Sequence, residues 1–579
     1  MKLLDSRRYT GPNLVWDLPS AVMDIDCDVA QCDAIVQAWQ THLRAFLEAL
    51  GFEHAMSAVH RFDNGGMSVA LAAPIDQLYG AIDINEAAWR VAKADLIAQG
   101  FDVEPDPEDV GAELSMHASF EETVAALRER LAGERDPKLI ALTTAAKEKG
   151  ATLLWDDDEV SVGLGRHATV WPADQLPAPN RVDWAKHDDV PVGMVTGTNG
   201  KTTSVRMATS IVRAAQLNVG LSSTDWVGVN DRVIDRGDYS GPGGARAALR
   251  ADEVDMAILE TARGGLLRRG LGVDHADAVL ITNIAEDHLG DFGSRDINEL
   301  LDVKWIVTRA LHENSVAILN ADDPLLVTKS SALKAPVLWF SLDADNPTLA
   351  QHVSQGGPAF TLIDNHLQRC ENGTWHPLCA INDIPLTVNG AARHNVANAL
   401  GAAALTHCLG VRDEHIVAGL TRMTSADNPG RGNLLDVNGI EVLVDFAHNP
   451  QGMAAIFDLA SRRPAKRRAL AFGQAGDRTD ESIREQARVA WACDFELILI
   501  SELADYHRGR DYREVFGLLH DEFVKQGARS EQIQHFEQEI DALHAALAWA
   551  KPGDLIVMLA LASAGAIMAD LEQRGARPL

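Results

Sequence analysis

A glycine-bearing turn, Thr196-Gly-Thr-Asn-Gly-Lys-Thr-Thr203, lies between an apolar run and a helical pattern. Glycine lets the backbone curl so that successive N–H groups face inward, and a helix N-terminus adds the positive end of its dipole. Lys201 supplies a positive charge for the β- and γ-phosphates of a nucleotide, and the Thr202 hydroxyl lies where Mg²⁺ would bind. The turn therefore predicts ATP binding through Thr196, Gly197, Thr198, Asn199, Gly200, Lys201, Thr202 and Thr203.

The turn departs from the strict phosphate-loop pattern G-x-x-x-x-G-K-[ST] at its first position, where Val195 replaces glycine. The alternative interpretation is an ordinary Gly-rich turn with a chance Lys-Thr pair. The helical pattern that follows places apolar residues on one buried face. This strand–turn–helix context favours phosphate binding.

Polar clusters follow other apolar runs, and two of them carry candidate metal ligands. Met256–Leu259 runs into Glu260, and Val279–Ile281 runs into a segment that contains His288. Ligands of open parallel sheets bind beyond the carboxyl ends of the strands. Glu260 with Thr202 gives the oxygen ligands that Mg²⁺ prefers, whereas imidazole suits softer metals. Glu260 or His288 alone could be a capping or loop residue; beside the phosphate turn, both are predicted metal ligands.

The spacing of the apolar runs predicts the fold class, an α/β protein. Between 191 and 427, buried strands alternate with helical segments, which is typical of a parallel sheet covered on both faces. A second alternation at 428–579 predicts a smaller, Rossmann-like α/β domain. Residues 1–165 mix helical patterns with short strands and predict an N-terminal α+β domain. The Pro-rich polar stretch 166–190 predicts a linker, because proline removes backbone donors and disfavours helix.

Six stretches make the chain resemble the Mur ligase family of ATP-dependent amide ligases, in particular the Mur-ligase-like half of cyanophycin synthetases. They are Asp238-Tyr-Ser-Gly-Pro242 with Ala245-Arg246, Glu260-Thr-Ala-Arg-Gly-Gly-Leu-Leu-Arg268, Thr282-Asn-Ile with Asp287-His-Leu-Gly290, Pro385 to Asn398, Asn428-Pro-Gly-Arg431 with Asp445-Phe-Ala-His-Asn-Pro450, and Gly476-Asp-Arg-Thr-Asp480. The resemblance covers about residues 190–579. It implies a P-loop ATPase domain of Mur ligase type at 191–427 and a Mur ligase C-terminal domain at 428–579.

Residues 1–165 are more loosely similar to the N-terminal domain of cyanophycin synthetases. That likeness implies acceptor binding or assembly as the role of this part. The ATP-grasp domain of those enzymes has no counterpart here, because the next predicted strand begins shortly after Gly165. The resemblance therefore implies one type of amide bond, made on an acceptor produced elsewhere.

The resemblance also implies roles for individual residues. It places one Mg²⁺ on Thr202 and Glu260, and a second on Glu260 and His288 near the acceptor. Lys304 stands where many Mur ligases carry a carbamylated lysine, and a plain surface or ion-paired lysine is the open alternative. The implied catalytic residues are Lys201, Glu260, His288, Lys304 and Arg431, and the implied adenine, ribose and phosphate contacts are Asn395, Asn398, Arg431, Asp445 and His448.

Charged residues elsewhere are candidates for substrate binding. Arginine matches carboxylates bidentately, so Arg508 and Arg510 could bind a substrate carboxylate, with a solvated loop as the alternative. Asp477 and Arg478 could face the amine substrate or form a structural turn. Arg263, in the Glu-Thr-Ala-Arg string, is a further candidate for contact with the substrate.

Charge and composition exclude several classes of function. The chain has 52 Lys and Arg against 83 Asp and Glu, a net charge of −31, and no strong basic patch. Such a polyanion repels nucleic acid and anionic membranes. The sequence shows neither a signal-peptide pattern nor an apolar stretch long enough to cross a membrane, and its six cysteines form no C-x-x-C pair. We expect a cytoplasmic multidomain enzyme without nucleic-acid or membrane partners.

The expected reaction is amide ligation, in which a carboxylate is activated as an acyl phosphate and joined to an amino-acid amine, with release of ADP and phosphate. By analogy, the amine belongs to an amino acid such as arginine or lysine, and the carboxylate to a peptide or polymer. The expected cofactors are ATP and Mg²⁺. A homo-oligomer and an ATP-grasp partner enzyme stay open. The alternative is a catalytically silent nucleotide-binding subunit that docks onto an ATP-grasp synthetase.

Overall fold

The N-terminal part is an antiparallel sheet packed against long helices in a computed structural model that describes residues 1–52, 55–107, 119–287 and 296–579. The strand order is β1-β2-β4-β3. Trp39 and Trp89 are almost fully buried in its core, and Trp39 Nε1 donates to Asn85 Oδ1 at 2.8 Å. The elements are β1 (Lys2–Tyr9), β2 (Ser20–Asp26), α1 (Cys32–Leu50), β3 (Ser57–Arg61), β4 (Met67–Ala72), α2 (Leu78–Ala98), α3 (Phe120–Glu134) and α4 (Pro137–Lys149).

A small antiparallel sheet follows, formed by β5 (Leu153–Trp155), β6 (Glu159–Val162) and β7 (Thr169–Pro172). The last of these strands lies inside the stretch predicted as a linker, and Leu176 beyond it is buried. The composition of 166–190 hid this strand because it has only four residues, the last of which is a proline. The segment is thus an ordered structure between the N-terminal helices and the next sheet.

The central sheet has the order β11-β10-β9-β12-β8-β13-β14-β15-β16-β17-β18. The strands from β9 to β16 in this order are parallel, and antiparallel strands form both edges. Strand β8 therefore lies between β12 and β13, so the three polar segments after these strands meet at one sheet edge. The strands are β8 (Val192–Thr196), β9 (Val219–Ser222), β10 (Trp226–Val229), β11 (Arg232–Arg236), β12 (Met256–Glu260), β13 (Ala276–Ile281), β14 (Leu311–Asn320), β15 (Val337–Ser341), β16 (Ala359–Ile363), β17 (His366–Glu371) and β18 (Thr374–Ala380).

Helices cover both faces of this sheet and form two separate apolar cores. Helix α5 begins directly at the phosphate turn and packs against α11 and α12. The helices are α5 (Lys201–Ala214), α6 (Pro242–Leu249), α7 (Arg263–Arg269), α8 (Ile297–Trp305), α9 (Pro324–Lys329), α10 (Pro347–Ser354), α11 (Arg393–Cys408) and α12 (Asp413–Arg422).

The C-terminal sheet has the order β23-β22-β21-β24-β20-β19-β25, with parallel pairing from β23 to β20. Its strands are β19 (Asn433–Val437), β20 (Ile440–Asp445), β21 (Arg468–Gly473), β22 (Leu497–Ser501), β23 (Ile533–Phe536), β24 (Leu555–Leu559) and β25 (Arg577–Pro578). Its helices are α13 (Pro450–Ser461), α14 (Asp480–Trp491), α15 (Glu514–Gln526), α16 (Glu539–Trp549) and α17 (Ala564–Gln573).

The predicted α/β class with two parallel-sheet regions and an α+β N-terminal part is confirmed by this topology. The apolar run that begins at Leu555 is a buried strand followed by a helix. Within the described ranges, no helix combines the length and apolar content needed to cross a bilayer.

Candidate active site

The phosphate turn joins β8 to α5, and neighbouring side chains pack closely against its two glycines. Gly197 has φ +141°, and a Cβ there would lie 2.0 Å from Thr282 Oγ1. Gly200 has φ +84°, and its Cβ would lie 2.2 Å from Asn398 Oδ1. Only glycine fits at either position. Because the first N–H groups of an α-helix have no partner within the helix, the turn and the start of α5 form an anion site.

Lys201 is the cation nearest to this turn in sequence. Its Nζ donates to the carbonyl oxygen of Thr198 at 2.9 Å, so the ammonium folds back over the turn. A phosphate group held by the helix N-terminus would meet this charge directly. The local arrangement therefore suits the β- and γ-phosphates of a nucleotide.

Glu260 ends β12 and is the buried carboxylate of the site, 1% exposed. Its Oε1 accepts hydrogen bonds from the Thr202 hydroxyl at 3.2 Å and from the Thr224 hydroxyl at 2.7 Å. A carboxylate between two hydroxyls is an oxygen-donor set that suits Mg²⁺. The predicted partner His288 lies outside the described residues, and among those described no group of three or more His, Cys, Asp or Glu could hold a metal ion. Phosphate and water oxygens are further ligands that a bound nucleotide would bring to a cation at Glu260 and Thr202.

Lys304, on α8, lies on the far side of the phosphate turn and is 4% exposed. Its Nζ donates to the carbonyl oxygen of Gly197 at 2.9 Å. Burial lowers the pKa of this ammonium well below its usual value, and the nearby charge of Lys201 lowers the pKa further. Lys304 is therefore not a surface lysine, and that alternative is excluded. Carbamylation requires the uncharged amine, and burial favours that form.

Residues 428–432, before β19, link the central and C-terminal sheets and are called the hinge; they are bonded to α5. Asn428 Oδ1 accepts from Arg206 Nη1 at 2.9 Å, and its Nδ2 donates to Thr203 Oγ1 at 3.3 Å. Arg206 also pairs with Asp225, and the Arg431 guanidinium lies 3.9 Å from the other oxygen of that carboxylate. The hinge therefore places the positive charge of Arg431 close to the start of α5.

The residues predicted to contact the nucleoside lie on α11 and at the end of β20. Asn395 and Asn398 on α11 are joined by a hydrogen bond of 3.2 Å, and Asn395 Nδ2 also donates to the Leu386 carbonyl oxygen at 2.8 Å. Asp445 ends β20. Burial raises the pKa of its carboxyl group to about 6, although Arg431 and backbone N–H groups lower it.

The two sheets meet across the site through polar contacts. The side-chain amides of Asn199 and Asn449 donate to each other's oxygens at 3.2 and 3.0 Å. Asp287 accepts from Arg478 at 3.2 Å and lies 3.4 Å from His448 Nε2. Each contact joins a loop of the central sheet to a loop of the C-terminal sheet. Side chains of both sheets can therefore contact a ligand bound between them.

One cavity of about 830 Å³ connects most of these residues. Its lining includes residues 198–203 of the phosphate turn, Glu260, Lys304, Asn395, Asn398, Asp445 and, from the hinge, Arg431. Cationic side chains outnumber carboxylates on its walls, although the whole chain has a net charge of −31. The cations are Lys201, Arg263, Arg268, Arg269, Arg431, Arg478 and Arg508, and the carboxylates are Asp238, Glu260, Asp287 and Asp445. Such a cavity attracts anionic ligands.

Comparisons with known proteins give the family. Residues 195–406 match the Mur ligase middle domain, and residues 430–560 match the Mur ligase glutamate ligase domain. The chain belongs to the Mur ligase family. The matches span the phosphate turn, the end of β12, the hinge and the C-terminal sheet, and they confirm the family predicted from the motifs.

Cyanophycin synthetases are among the relatives of this Mur ligase. The enzyme of Crocosphaera subtropica is 33% identical over 69% of this chain and 45% of its own length. That of Synechocystis sp. is 36% identical over 57% of this chain and 38% of its own length. The chain thus spans less than half the length of these relatives. A UDP-N-acetylmuramoyl-L-alanyl-D-glutamate–2,6-diaminopimelate ligase of Lactiplantibacillus plantarum is 26% identical over 63% of this chain and 71% of its own length.

Solved structures with a similar arrangement include Escherichia coli FolC in complex with ADP. It is 19% identical, with a TM-score of 0.49 over 66% of this chain and 90% of the other. A MurF from Acinetobacter baumannii is 18% identical, with a TM-score of 0.46 over 66% of this chain and 77% of the other.

The predicted substrate residues of this Mur ligase divide into two groups. Arg263, Arg478 and Arg508 line the cavity, whereas Asp477 and Arg510 lie behind it. Asp477 pairs with Arg508 and with Arg478. Arg510 donates to the carbonyl oxygens of residues 476 and 478 and pairs with residues 480 and 514. This geometry favours a structural role for Arg510.

Three features of the Mur ligase site were missed from sequence. Thr224 follows β9, and the rule of polar residues after buried strands could have found it. Arg206 lies inside α5, where a helical position gives no sign that the guanidinium turns toward the hinge. Arg268 and Arg269 stand in the Glu-Thr-Ala-Arg string but were not selected, because only the strand order shows that α7 borders the cavity.

Proposed function

We propose that this chain is an ATP-dependent amide ligase that activates a substrate carboxylate as an acyl phosphate and joins it to an amino-acid amine. The observation that carries the proposal is the single cationic cavity into which the phosphate turn, Glu260 and the hinge arginine project together. A nucleotide-binding subunit without catalysis has no need of this buried carboxylate opposite a phosphate site, nor of arginines facing it from the second sheet.

In this proposal, the nucleotide phosphates bind at the phosphate turn beneath Lys201, and Asp445 receives the ribose hydroxyls. Thr202 and Glu260 would hold Mg²⁺, which supplies charge neutralisation on the phosphate oxygens. Arg431 approaches the same phosphates from the hinge. These fixed charges stabilise the negative charge that spreads over the transferred phosphoryl group.

The arginines of α7 are proposed to receive the carboxylate substrate. Arg263 is buried in the cavity, and Arg268 and Arg269 are exposed at its rim. Guanidinium groups bind carboxylates bidentately, so they can align the attacking oxygen with the γ-phosphate. The amine then attacks the acyl phosphate, and phosphate leaves.

Water must stay away from the acyl phosphate, because water would hydrolyse it. The contacts of Asn199 with Asn449 and of Asp287 with Arg478 bring the two sheets together around the reacting groups. Closure across these contacts supplies both proximity and exclusion of water.

The deciding experiment is a screen of phosphate release over amino acids crossed with acidic peptides, with products read by mass spectrometry. A ligase releases phosphate only when both an amine and a carboxylate are present, and a new amide appears. Phosphate release that depends on neither substrate, or nucleotide binding with no turnover over the whole screen, would contradict the proposal. The second result would instead support the silent-subunit alternative.

Nucleotide binding is expected to weaken as the pH falls through about 6, because the carboxylate of Asp445 becomes protonated and loses its strength as an acceptor. We expect ADP affinity to fall by about tenfold from pH 7.5 to 5, beyond any trend of the nucleotide itself. Isothermal titration at several pH values checks this. In Asp445→Asn, affinity at pH 7.5 should already be low, and the additional pH dependence should vanish; an unchanged pH profile would contradict the assignment.

The same pKa shift has a consequence for stability. In the folded protein, the pKa of Asp445 is raised above its ordinary value of 3.8, so folding favours the protonated form. Its contribution to stability is therefore present below about pH 4 and is lost as the pH rises through about 6. Asp445→Asn, which is neutral throughout, should accordingly be more stable than the wild type at pH 7.5 and not at pH 4.

Arg508 and Arg510 are expected to respond differently to substitution by glutamine. Arg508 lines the cavity, so Arg508→Gln should raise the KM of one substrate by about tenfold with little change in melting temperature. Arg510 holds the loop through carbonyl and carboxylate partners, so Arg510→Gln should lower the free energy of unfolding by about 1–3 kcal/mol. Steady-state kinetics and thermal melts measure both. Equal effects of the two variants on KM would contradict this division.

A further inference from the structure

Backbone hydrogen bonds join residues 10–12, which follow β1, to residues 269–271 at the end of α7. We call this contact the seam. The N–H of Thr10 donates to the carbonyl oxygen of Arg269 at 2.9 Å, and the N–H of Leu271 donates to that of Pro12 at 2.8 Å. Between them, a Cβ added to Gly11 would lie 2.5 Å from the Leu271 carbonyl oxygen. The segment after β1 and the end of α7 are therefore in direct contact.

Arg7 of β1 extends this seam into a buried charged network. Its Nε donates to the carbonyl oxygen of Leu267 at 2.7 Å, and its Nη1 donates to Asp24 Oδ2 at 2.6 Å. The other oxygen of Asp24 accepts from Ser68 Oγ at 2.6 Å. Arg7 is 6% exposed and Asp24 2%. The carboxylate thus fixes the guanidinium, and the guanidinium holds one carbonyl of α7.

Helix α7 depends on such partners. It has seven residues, a length at which an isolated helix is not stable in water. The last carbonyl groups of a helix have no partner within it, and those of Leu267 and Arg269 are bonded by Arg7 and Thr10. The end of α7 is therefore completed by residues from another part of the chain.

The position of α7 matters because three of its arginines line the cavity. It begins three residues after Glu260, and these arginines are Arg263, Arg268 and Arg269. A displacement of about 1 Å at an aligned substrate can cost a large factor in rate or affinity. The N-terminal sheet is connected to the carboxylate side of the site through this helix, and Asn64, between β3 and β4, also contacts the start of α8.

We propose that Arg7 is a positioning residue that sets the arginines of α7 for the carboxylate substrate, so that the N-terminal sheet forms part of the acceptor site without contacting the acceptor. This inference rests on the proposed ligase function. It assigns to Arg7 an effect on the carboxylate substrate that is separate from ATP binding, because Arg7 and Thr10 bond to carbonyl groups of α7, which carries the arginines proposed for that substrate.

The test compares Arg7→Met and Arg7→Lys in the full chain, with the acidic peptide that the screen identifies as the carboxylate substrate. Methionine keeps much of the volume and removes every donor. Lysine keeps a positive charge beside Asp24 but has no donor at the Nε position that faces Leu267. We expect both variants to raise the KM of the peptide by about tenfold, with kcat and the KM of ATP within about twofold of the wild type.

Thermal melts and hydrogen exchange separate positioning from general stability. We expect Arg7→Lys to recover most of the melting temperature lost in Arg7→Met, but not the KM of the peptide. Exchange of the amides at 266–271 should become about tenfold faster in both variants, with the amides of α5 unaffected. Gly11→Ala, which drives a methyl group against the Leu271 carbonyl, should give the same KM effect without a change in charge.

Arg309→Gln is the matched control. Arg309 pairs with Asp17 at 2.9 Å, which also joins the N-terminal part to the central sheet. The Arg309 side chain is 34% exposed and that of Asp17 67%, and the pair lies outside α7. All kinetic constants of this variant should stay within about twofold of the wild type. The proposal is overturned if the KM of the peptide is unchanged in Arg7→Met, if exchange at 266–271 is unchanged, or if all constants change together. Absence of ligation by the wild type would instead refute the proposed function.

Discussion

Replacement of Lys201 by alanine is expected to reduce ATP turnover by at least about a hundredfold, because its ammonium lies over the phosphate turn at the start of α5, where the β- and γ-phosphates would bind. Lys304 also reaches the turn, but it is buried, its pKa is lowered, and it is already bonded to the Gly197 carbonyl oxygen. It is therefore not expected to substitute for the missing charge. Phosphate release in the presence of amine and carboxylate substrates measures the effect.

The control for this variant is Lys186→Ala, at an exposed lysine paired only with Asp183. It removes the same charge from the chain and should leave turnover unchanged within about twofold. Lys201→Ala should also keep its melting temperature, since its ammonium makes one hydrogen bond to a nearby carbonyl. Phosphate release at the wild-type rate would show that the turn is not the phosphate site.

Replacement of Glu260 by glutamine is expected to lower activity by about a hundredfold or more at ordinary Mg²⁺ concentrations, with partial recovery when Mg²⁺ is raised. The amide keeps the shape and can still accept from Thr202 and Thr224, but it no longer carries the charge that attracts a divalent cation. Activity as a function of Mg²⁺ concentration measures the shift. Glu260→Ala should show a larger loss, also only partly restored.

Protein stability gives an independent check on Glu260. A buried carboxylate that accepts only from hydroxyl and N–H groups pays for its desolvation, so the neutral glutamine should leave the melting temperature equal or higher. Glu522→Gln, which neutralises another buried glutamate on α15 away from the cavity, should leave activity unchanged. Full activity of Glu260→Gln at ordinary Mg²⁺ would remove Glu260 from the metal site.

The sequence was most informative where local patterns determine structure. The runs at 256–259, 469–472 and 555–559 became β12, β21 and β24 because fully apolar segments of this length bury both faces in a parallel sheet. The phosphate turn was also visible, since its glycines and Lys201 act within eight consecutive residues. Polar residues after these strands converge because parallel strands present their carboxyl ends at one edge.

Features that depend on distant parts of the chain were not predictable in this way. Thr224 contacts Glu260 only because β9 lies next to β12, an order that no local pattern encodes. The burial of Lys304 follows from the packing of α8 under the turn. The seam between Arg7 and Leu267 joins residues far apart in sequence through one side chain and a backbone carbonyl. Contacts to backbone atoms carry no residue signature, so sequence alone could not reveal this one.

The reciprocal amide pair between Asn199 and Asn449 has a consequence for product release. Asn449 also caps α13 by accepting from the N–H of Gly452 at 2.8 Å. Separation of the two sheets at this pair breaks uncharged bonds, which water replaces at small cost, and leaves the cap intact. The Asp287–Arg478 ion pair must separate in the same movement, so the departure of ADP in the proposed reaction depends on that charged contact as well.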